Sequence, residues 1–173
     1  PDDGVRTGEA SNPGPVFSKP ERRPLHIMHP CVGMNSWAHA FPQDSLKWAC
    51  DIDPNSGVII KDQFKLEIHG DLFTVTQAQV PDHPIDIYII GTDCRAWSIF
   101  GKQKGVKDAR ANAYWSHWRL IEMMKKENRP RVVITEQSSE VEYSVADTWA
   151  NEKAAKLGYV SKPPPRPGCG GLR

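Results

Sequence analysis

Between residues 25 and 161 the chain alternates short apolar runs with segments of helical apolar spacing, and most of the runs close on a cysteine, a glycine or an acid. Leu25 to Cys31 predicts a first strand, with Gly33 marking a tight turn. Asn35 is placed to cap a short helix running through Trp37, Ala38 and Phe41. Leu46 to Cys50 predicts a second strand that closes on Asp51-Ile52-Asp53. Pro54 suits the first turn of the helix carried on by Val58, Ile59 and Ile60. Leu66 to Ile68 reads as a short third strand, followed by Gly70-Asp71-Leu72. Ile85 to Ile90, bounded by Pro84 and Gly91 and interrupted by Asp86, has the near-continuous apolar character of a strand covered on both faces. Tyr114, Trp118 and Ile121 recur at helical spacing, with Leu120 and Met124 alongside, and predict one helix from Ala111 to Lys126. Arg131 to Thr135 gives a fifth strand leading into Glu136. A further helix lies between Asp147 and Leu157, ended by Gly158, and Tyr159 to Ser161 starts a sixth strand. Strands alternating with helices at this spacing mean an α/β domain on a mostly parallel sheet.

The flanks lack such periodicity. Residues 1–24 carry Gly, Pro, Ser and charge and are expected to be a disordered leader, and residues 163–173 a disordered Pro/Gly-rich tail, leaving 25–162 as the domain. At 173 residues the chain is long enough for one real core. Its net charge of +1 names no partner, so any nucleic-acid surface must be local. Cys31, Cys50, Cys94 and Cys169 lack C-x-x-C spacing, no His/Cys cluster resembles a zinc site, and no metal is expected. Free thiols in a reducing, intracellular compartment are the expectation: nuclear in a eukaryote, cytoplasmic in a bacterium. No apolar run reaches bilayer length, so no membrane partner is expected.

Candidate chemistry gathers where the strands end. In an open α/β sheet, ligands sit outside the carboxyl ends of the strands. Gly33 after the first strand lets backbone approach a bound group. Asp51, closing the second, is placed to accept from ribose hydroxyls, and Asp71 after the third could accept from an adenine amino group. Cys94, delivered past the fourth strand beside the cationic segment Gly101 to Gly105, is placed like a nucleophile facing an anionic polymer. Taken singly, Gly33 reads as a turn, either aspartate as a helix cap and Cys94 as a small core residue. Their order along one chain points to a nucleoside-bearing cofactor.

With the Cys94 loop added, residues 24–161 resemble the cytosine-C5 methyltransferases, the S-adenosylmethionine-dependent family that acts on DNA, with a branch acting on tRNA. The most specific stretch is Ser98-Ile99-Phe100-Gly101-Lys102-Gln103-Lys104-Gly105 followed by Asp108-Ala109-Arg110, which resembles the family's catalytic-loop continuation. Pro130 to Glu136 is similar to the strand that delivers the catalytic glutamate. The resemblance implies a Rossmann-like, doubly wound methyltransferase fold, incomplete at its C-terminus. It implies that Cys94 adds to C6 of a flipped cytosine while Glu136 holds the base edge. It further implies that Gly33, Met34 and Asn35 line the methionine side of S-adenosylmethionine, and Asp51 with Ile52 the ribose. Asp71 with Leu72 would take the adenine, Gly91 would border the cofactor, and Arg95, Ser98, Lys102 and Arg110 would face nucleic acid.

The pattern also breaks. Asp93-Cys94-Arg95 stands where the family has Pro-Cys-Gln, and Glu136-Gln137-Ser138 where it has Glu-Asn-Val. Proline would have stiffened the loop; Asp93 disfavours a thiolate by charge and Arg95 favours it. Cys31-Val32-Gly33-Met34-Asn35 lacks the aromatic and one glycine of the family's first-strand motif. No counterpart of the target-recognition region is present. Three readings stay open: a DNA cytosine methyltransferase, acting alone or completed by a second chain, with RNA as an alternative substrate; an inactive relative that binds cofactor or nucleic acid; and a truncated mobile-element fragment.

Overall fold

The computed structural model describes residues 23–33, 40–41, 45–97, 104–137 and 143–161. Their centre is a sheet of four parallel strands, β1 (Ile27–Pro30), β2 (Leu46–Cys50), β3 (Ile87–Gly91) and β4 (Val132–Glu136), in the order β2-β1-β3-β4. The chain steps outward from β1 to β2 and then returns to lay β3 on the far side of β1. That reversal is a topological switch point, and it opens a crevice at the carboxyl ends of β1 and β3. With the helices α1 (Pro54–Phe64), α2 (Asn112–Ser116), α3 (Trp118–Met123) and α4 (Tyr143–Lys156), this is the Rossmann-like α/β fold the sequence implies. Among the described residues no helix is long and apolar enough to cross a membrane.

The apolar strands carry two cores because successive side chains point to opposite faces. Met28, Trp48, Cys50, Tyr88 and Ile90 pack with Leu120, Ile121 and Met124 on one face. Ile27, Leu46, Ala49 and Ile89 pack with Ile60 of α1 on the other. The interruption at Asp86 has its own reason. Its carboxylate accepts from both terminal nitrogens of Arg23 at 2.8 Å and from the His26 backbone N–H at 2.9 Å, tying the approach to β1 onto the start of β3. Arg23, expected in the leader, is thus bonded to the domain, whereas residues 1–22 and 162–173 lie outside the described residues.

Local chemistry sets the ends of the helices. Asp53 caps α1 by accepting from the Asn55 N–H at 2.9 Å, with Pro54 at its first position. Gly158, at φ +89°, ends α4, and the Tyr159 N–H returns to the Ala154 carbonyl at 2.8 Å. The helix expected from Asp147 therefore begins earlier, at Tyr143.

Three sequence expectations are corrected. Leu66 to Ile68 is not a strand; only a bridge between Cys50 and His69 forms, because Lys65 turns left-handed (φ 53°) and the chain swings away again at Asp71. Tyr159 to Ser161 starts no strand, since Tyr159 donates its hydroxyl to the Pro130 carbonyl at 2.7 Å and Val160 faces solvent. The single helix from 111 to 126 is broken at His117. The His117 carbonyl accepts from the Leu120 N–H at 3.0 Å and from the Tyr88 hydroxyl at 3.1 Å, so the helix tightens there instead of running on. The Asn35 helix lies mostly outside the described residues.

Burial in this break pushes His117 down to about 3 from its ordinary 6.5. Between those values the unfolded chain binds the proton that the folded chain refuses. His117 therefore contributes stability above 6.5 that is progressively lost as pH falls toward 3. His117→Phe is expected to flatten the fall in thermal midpoint between about pH 6.5 and 5, above the range where carboxylates titrate. An unchanged slope in thermal melts would contradict this.

Candidate active site

The crevice is built from the residues just past each strand. β3 ends at Gly91, and Thr92 after it is buried. Asp93 then caps a one-turn 3₁₀ segment, Cys94–Ala96, accepting from the Arg95 N–H at 2.9 Å. Ala96 and Trp97 turn inward against Ala111 and Tyr114, anchoring the loop from below, while Cys94 is exposed. The sequence pattern polar-Cys-polar-Ala-Trp thus leaves the thiol outward.

The charges beside Cys94 are paired with each other. Arg95 Nε lies 2.9 Å from both Asp93 oxygens, and its terminal nitrogen donates at 2.5 Å. The guanidinium holds the Asp93 carboxyl below its usual range, and the carboxylate raises Arg95 in turn. Neither flanking charge acts on the thiol alone. Asp108-Ala109-Arg110 repeats the arrangement. Asp108 caps the 3₁₀ turn Ala109–Ala111, and Arg110 folds back on it through Nε at 2.9 Å and a terminal nitrogen at 2.6 Å. That contact holds the Asp108 carboxyl well below the carboxylate range. The shared Asp-x-Arg spacing was the signal in the sequence for both ion pairs.

Glu136 reaches the same place by register. β3 and β4 pair in parallel with Gly91 opposite Glu136. A Cβ built on Gly91 would sit 2.9 Å from Glu136 Oε2, so only glycine lets the carboxylate lie against the strand there. One residue further, Gln137 Nε2 donates to Thr92 Oγ1 at 2.7 Å.

Beside the Cys94 loop lies a cavity of about 220 Å³ whose wall includes Asp51, Ile52, Asp71, Leu72, Asp93 and Arg110. Asp51 accepts from the Gly33 N–H at 2.7 Å and the Asp53 N–H at 2.9 Å, so it joins the ends of β1 and β2. Gly33 itself is left-handed at φ 51°. Asp71 caps the turn after it, accepting from the Phe73 N–H at 2.9 Å. Ile52 is 77% exposed and Phe73 49% exposed, so two apolar side chains stand on the wall with large faces open to solvent. Cys31 and Cys50 complete the apolar part of the wall; burial, reinforced by Asp51 and Asp71, pushes each thiol up to about 12. A larger cavity, about 530 Å³, lies against β4 and α4; neither cavity is lined by Cys94 or Glu136, and only the smaller one is lined by the Asp93 that precedes Cys94. Among the described residues no group of three or more His, Cys, Asp or Glu is placed to hold a metal.

The sequence model of the family described as C-5 cytosine-specific DNA methylase matches residues 31–159, which contain this whole crevice. The chain belongs to that family. Among curated methylases it is 39% identical over 67 residues to the type II methyltransferase M.HhaI of Haemophilus parahaemolyticus, covering 39% of this chain and 19% of that protein. It is 33% identical over 89 residues to M1.ScrFI of Lactococcus lactis subsp. cremoris, covering 51% of this chain and 21% of the relative. With M.HaeII of Haemophilus aegyptius it shares 30% over 94 residues, 53% of this chain and 28% of the relative. The matches thus span between about a fifth and a little over a quarter of these methylases.

Against the site expected of a methylase, the structure gathers Asp51, Ile52, Asp71 and Leu72 on one cavity wall and sets Gly91 beside Glu136. Arg110, expected toward nucleic acid, stands on that wall bonded to Asp108, and Arg95 is bonded to Asp93. Met34, Asn35, Ser98 and Lys102 lie outside the described residues. Sequence reasoning missed Cys31, Cys50, Phe73 and Asp93 as wall residues; nothing in the local pattern separates them from core or turn positions.

Two outcomes follow from this geometry. Gly91→Ala is expected to turn the Glu136 carboxylate off β3 while the sheet persists; a crystal structure of the variant with Oε2 unmoved would refute the contact. In thiol-labelling mass spectrometry near pH 8, Cys94 should be modified at least about a hundredfold faster than Cys31 and Cys50. Equal labelling of all three in the folded protein would contradict their burial.

Proposed function

We propose that this chain carries the chemical core of a DNA cytosine-C5 methyltransferase that uses S-adenosylmethionine. The observation that carries the reading is the Gly91–Glu136 register, which pairs the strand ending in a carboxylate with the strand that leads into the loop of an exposed thiol, beside an acid-walled cavity. Asp93 is bonded to Arg95 and Arg110 to Asp108, so the net negative charge of that wall comes from Asp51 and Asp71. Such a balance favours a ligand carrying positive charge, as the sulfonium and ammonium groups of this cofactor do. The volume suits a nucleoside rather than the whole cofactor. The remainder would run toward Gly33, Met34 and Asn35.

Asp71 uses one oxygen on its own turn, which leaves the other to accept from an adenine amino group. Asp51 has lone pairs beyond its two backbone contacts to accept from ribose hydroxyls. Ile52 and Phe73 would flank the adenine ring, with Leu72 and the neutral thiols of Cys31 and Cys50 as apolar floor. When bound, the cofactor supplies an electrophilic methyl group.

A cytosine must leave its stack for C5 and C6 to be reached. The Cys94 thiolate would then form a bond to C6, making C5 nucleophilic toward the methyl group that the bound cofactor would supply, with the S–CH3 bond breaking and the sulfur leaving as a neutral thioether. Glu136 holds N3 and the exocyclic amine while charge develops on the ring. A base removes the C5 proton, the C6–S bond breaks, and the thiolate returns. Arg95, exchanging Asp93 for a phosphate, would hold the backbone with Ser98 and Lys102, whereas Arg110 belongs to the cofactor side.

Calorimetry is expected to show S-adenosylmethionine binding that Asp71→Ala weakens about 10- to 100-fold, the value of a charged hydrogen bond. DNA carrying 5-fluorocytosine should form a covalent adduct, because fluorine at C5 blocks the final elimination, and Cys94→Ser should form none. Cofactor binding without an adduct would leave a binding module and refute the enzyme.

A further inference from the structure

The pairing of β3 with β4 stops at Gly91 and Glu136, yet the groups proposed to act lie at and beyond that last rung. Cys94 is three residues past Gly91, and nothing in the backbone ladder fixes it relative to Glu136. Past the ladder, Gln137 Nε2 donates to Thr92 Oγ1 at 2.7 Å. Thr92 is only 7% exposed, so the Thr92 end of this hydrogen bond is sheltered from water. The same residue pair directly follows the Gly91–Glu136 rung, so two consecutive cross-strand ties join the ends of the strands. One is backbone in register; the other is side chain to side chain.

The sequence gives each partner a reason. Thr92 precedes Asp93, whose carboxylate opens the turn that lifts Cys94 out. Gln137 follows Glu136, whose carboxylate lies against Gly91 with no room for a Cβ between them. Any rotation of β4 about Gly91 must stretch the Thr92–Gln137 bond. We propose that Gln137, through Thr92, is a positioning residue that sets the separation of the Cys94 thiol and the Glu136 carboxylate. The inference rests on the methyl-transfer reading, for it is in that reaction that the separation matters; a misplacement of about 1 Å at a reacting group is enough to slow a step severely. In this proposal Gln137 acts through Thr92 and not on a reacting atom, so its effect belongs to rate and not to cofactor affinity.

The test uses single-turnover adduct formation on 5-fluorocytosine DNA with the complete protein, alongside S-adenosylmethionine titration and thermal melts. Gln137→Met keeps the length of the side chain and removes its donor; Thr92→Val keeps the shape and removes its acceptor. Each is expected to slow adduct formation about tenfold with cofactor affinity within about twofold of the unsubstituted protein. The double variant should be no slower than the slower single one, because both changes remove the same bond. Thr92→Ser, which retains the hydroxyl, should restore the rate to within about twofold. An unchanged rate in Gln137→Met, multiplied losses in the double variant, or a parallel loss of cofactor affinity each overturns the positioning role and leaves the methyl-transfer reading standing. Absence of an adduct with the unsubstituted protein overturns both.

Discussion

Everything at the crevice depends on one rung of the sheet, the parallel pairing of Gly91 with Glu136. Parallel strands all present their carboxyl ends to the same edge, so four separate segments deliver their following residues to one place. The rung decides which of those residues become neighbours. It works because residue 91 lacks a side chain: a carboxylate on the adjacent strand occupies the volume that a methyl group would fill. A backbone register and the placing of a carboxylate are here the same contact.

Around this rung the charges form local pairs and not one continuous field. Asp93 with Arg95 and Asp108 with Arg110 are both three-residue segments in which a carboxylate caps a 3₁₀ turn and takes the guanidinium two positions on. The exposed pair of Asp93 and Arg95 contributes little to stability. The consequence of both pairs is conformational, because they hold in shape two turns that border the cavity, one of which carries the exposed thiol. The aspartate in place of proline before Cys94 therefore stiffens the loop by another route, through hydrogen bonds instead of a fixed φ. The acids on the cavity wall also shape local structure, and the proposed function gives them a second role. Asp51 and Asp71 shape their own loops with some of their lone pairs and present the rest.

The strands were legible in the sequence because burial on both faces leaves an unbroken apolar signature, as at Ile87 to Ile90. The strand-end positions of Gly91 and Glu136 were legible because apolar runs lead directly into them. The break at His117 was not, since Tyr114, Trp118 and Ile121 keep helical spacing across it and its cause, the Tyr88 hydroxyl, comes from a strand 29 residues away in sequence. Leu66 and Ile68 looked like a strand because they pack in the core, yet packing alone does not recruit a ladder. The Thr92–Gln137 bond was equally hidden: two polar residues 45 positions apart become partners only once the register is set.

The central claim is that the acid-walled cavity holds the nucleoside of S-adenosylmethionine next to the Cys94 loop. A crystal structure with the demethylated product, S-adenosylhomocysteine, addresses it most directly. The account predicts adenine between Ile52 and Phe73, with its amino group at Asp71 and the ribose at Asp51. Adenine seated instead in the larger cavity against α4, or an Asp71 carboxylate turned away from the ligand, would contradict it.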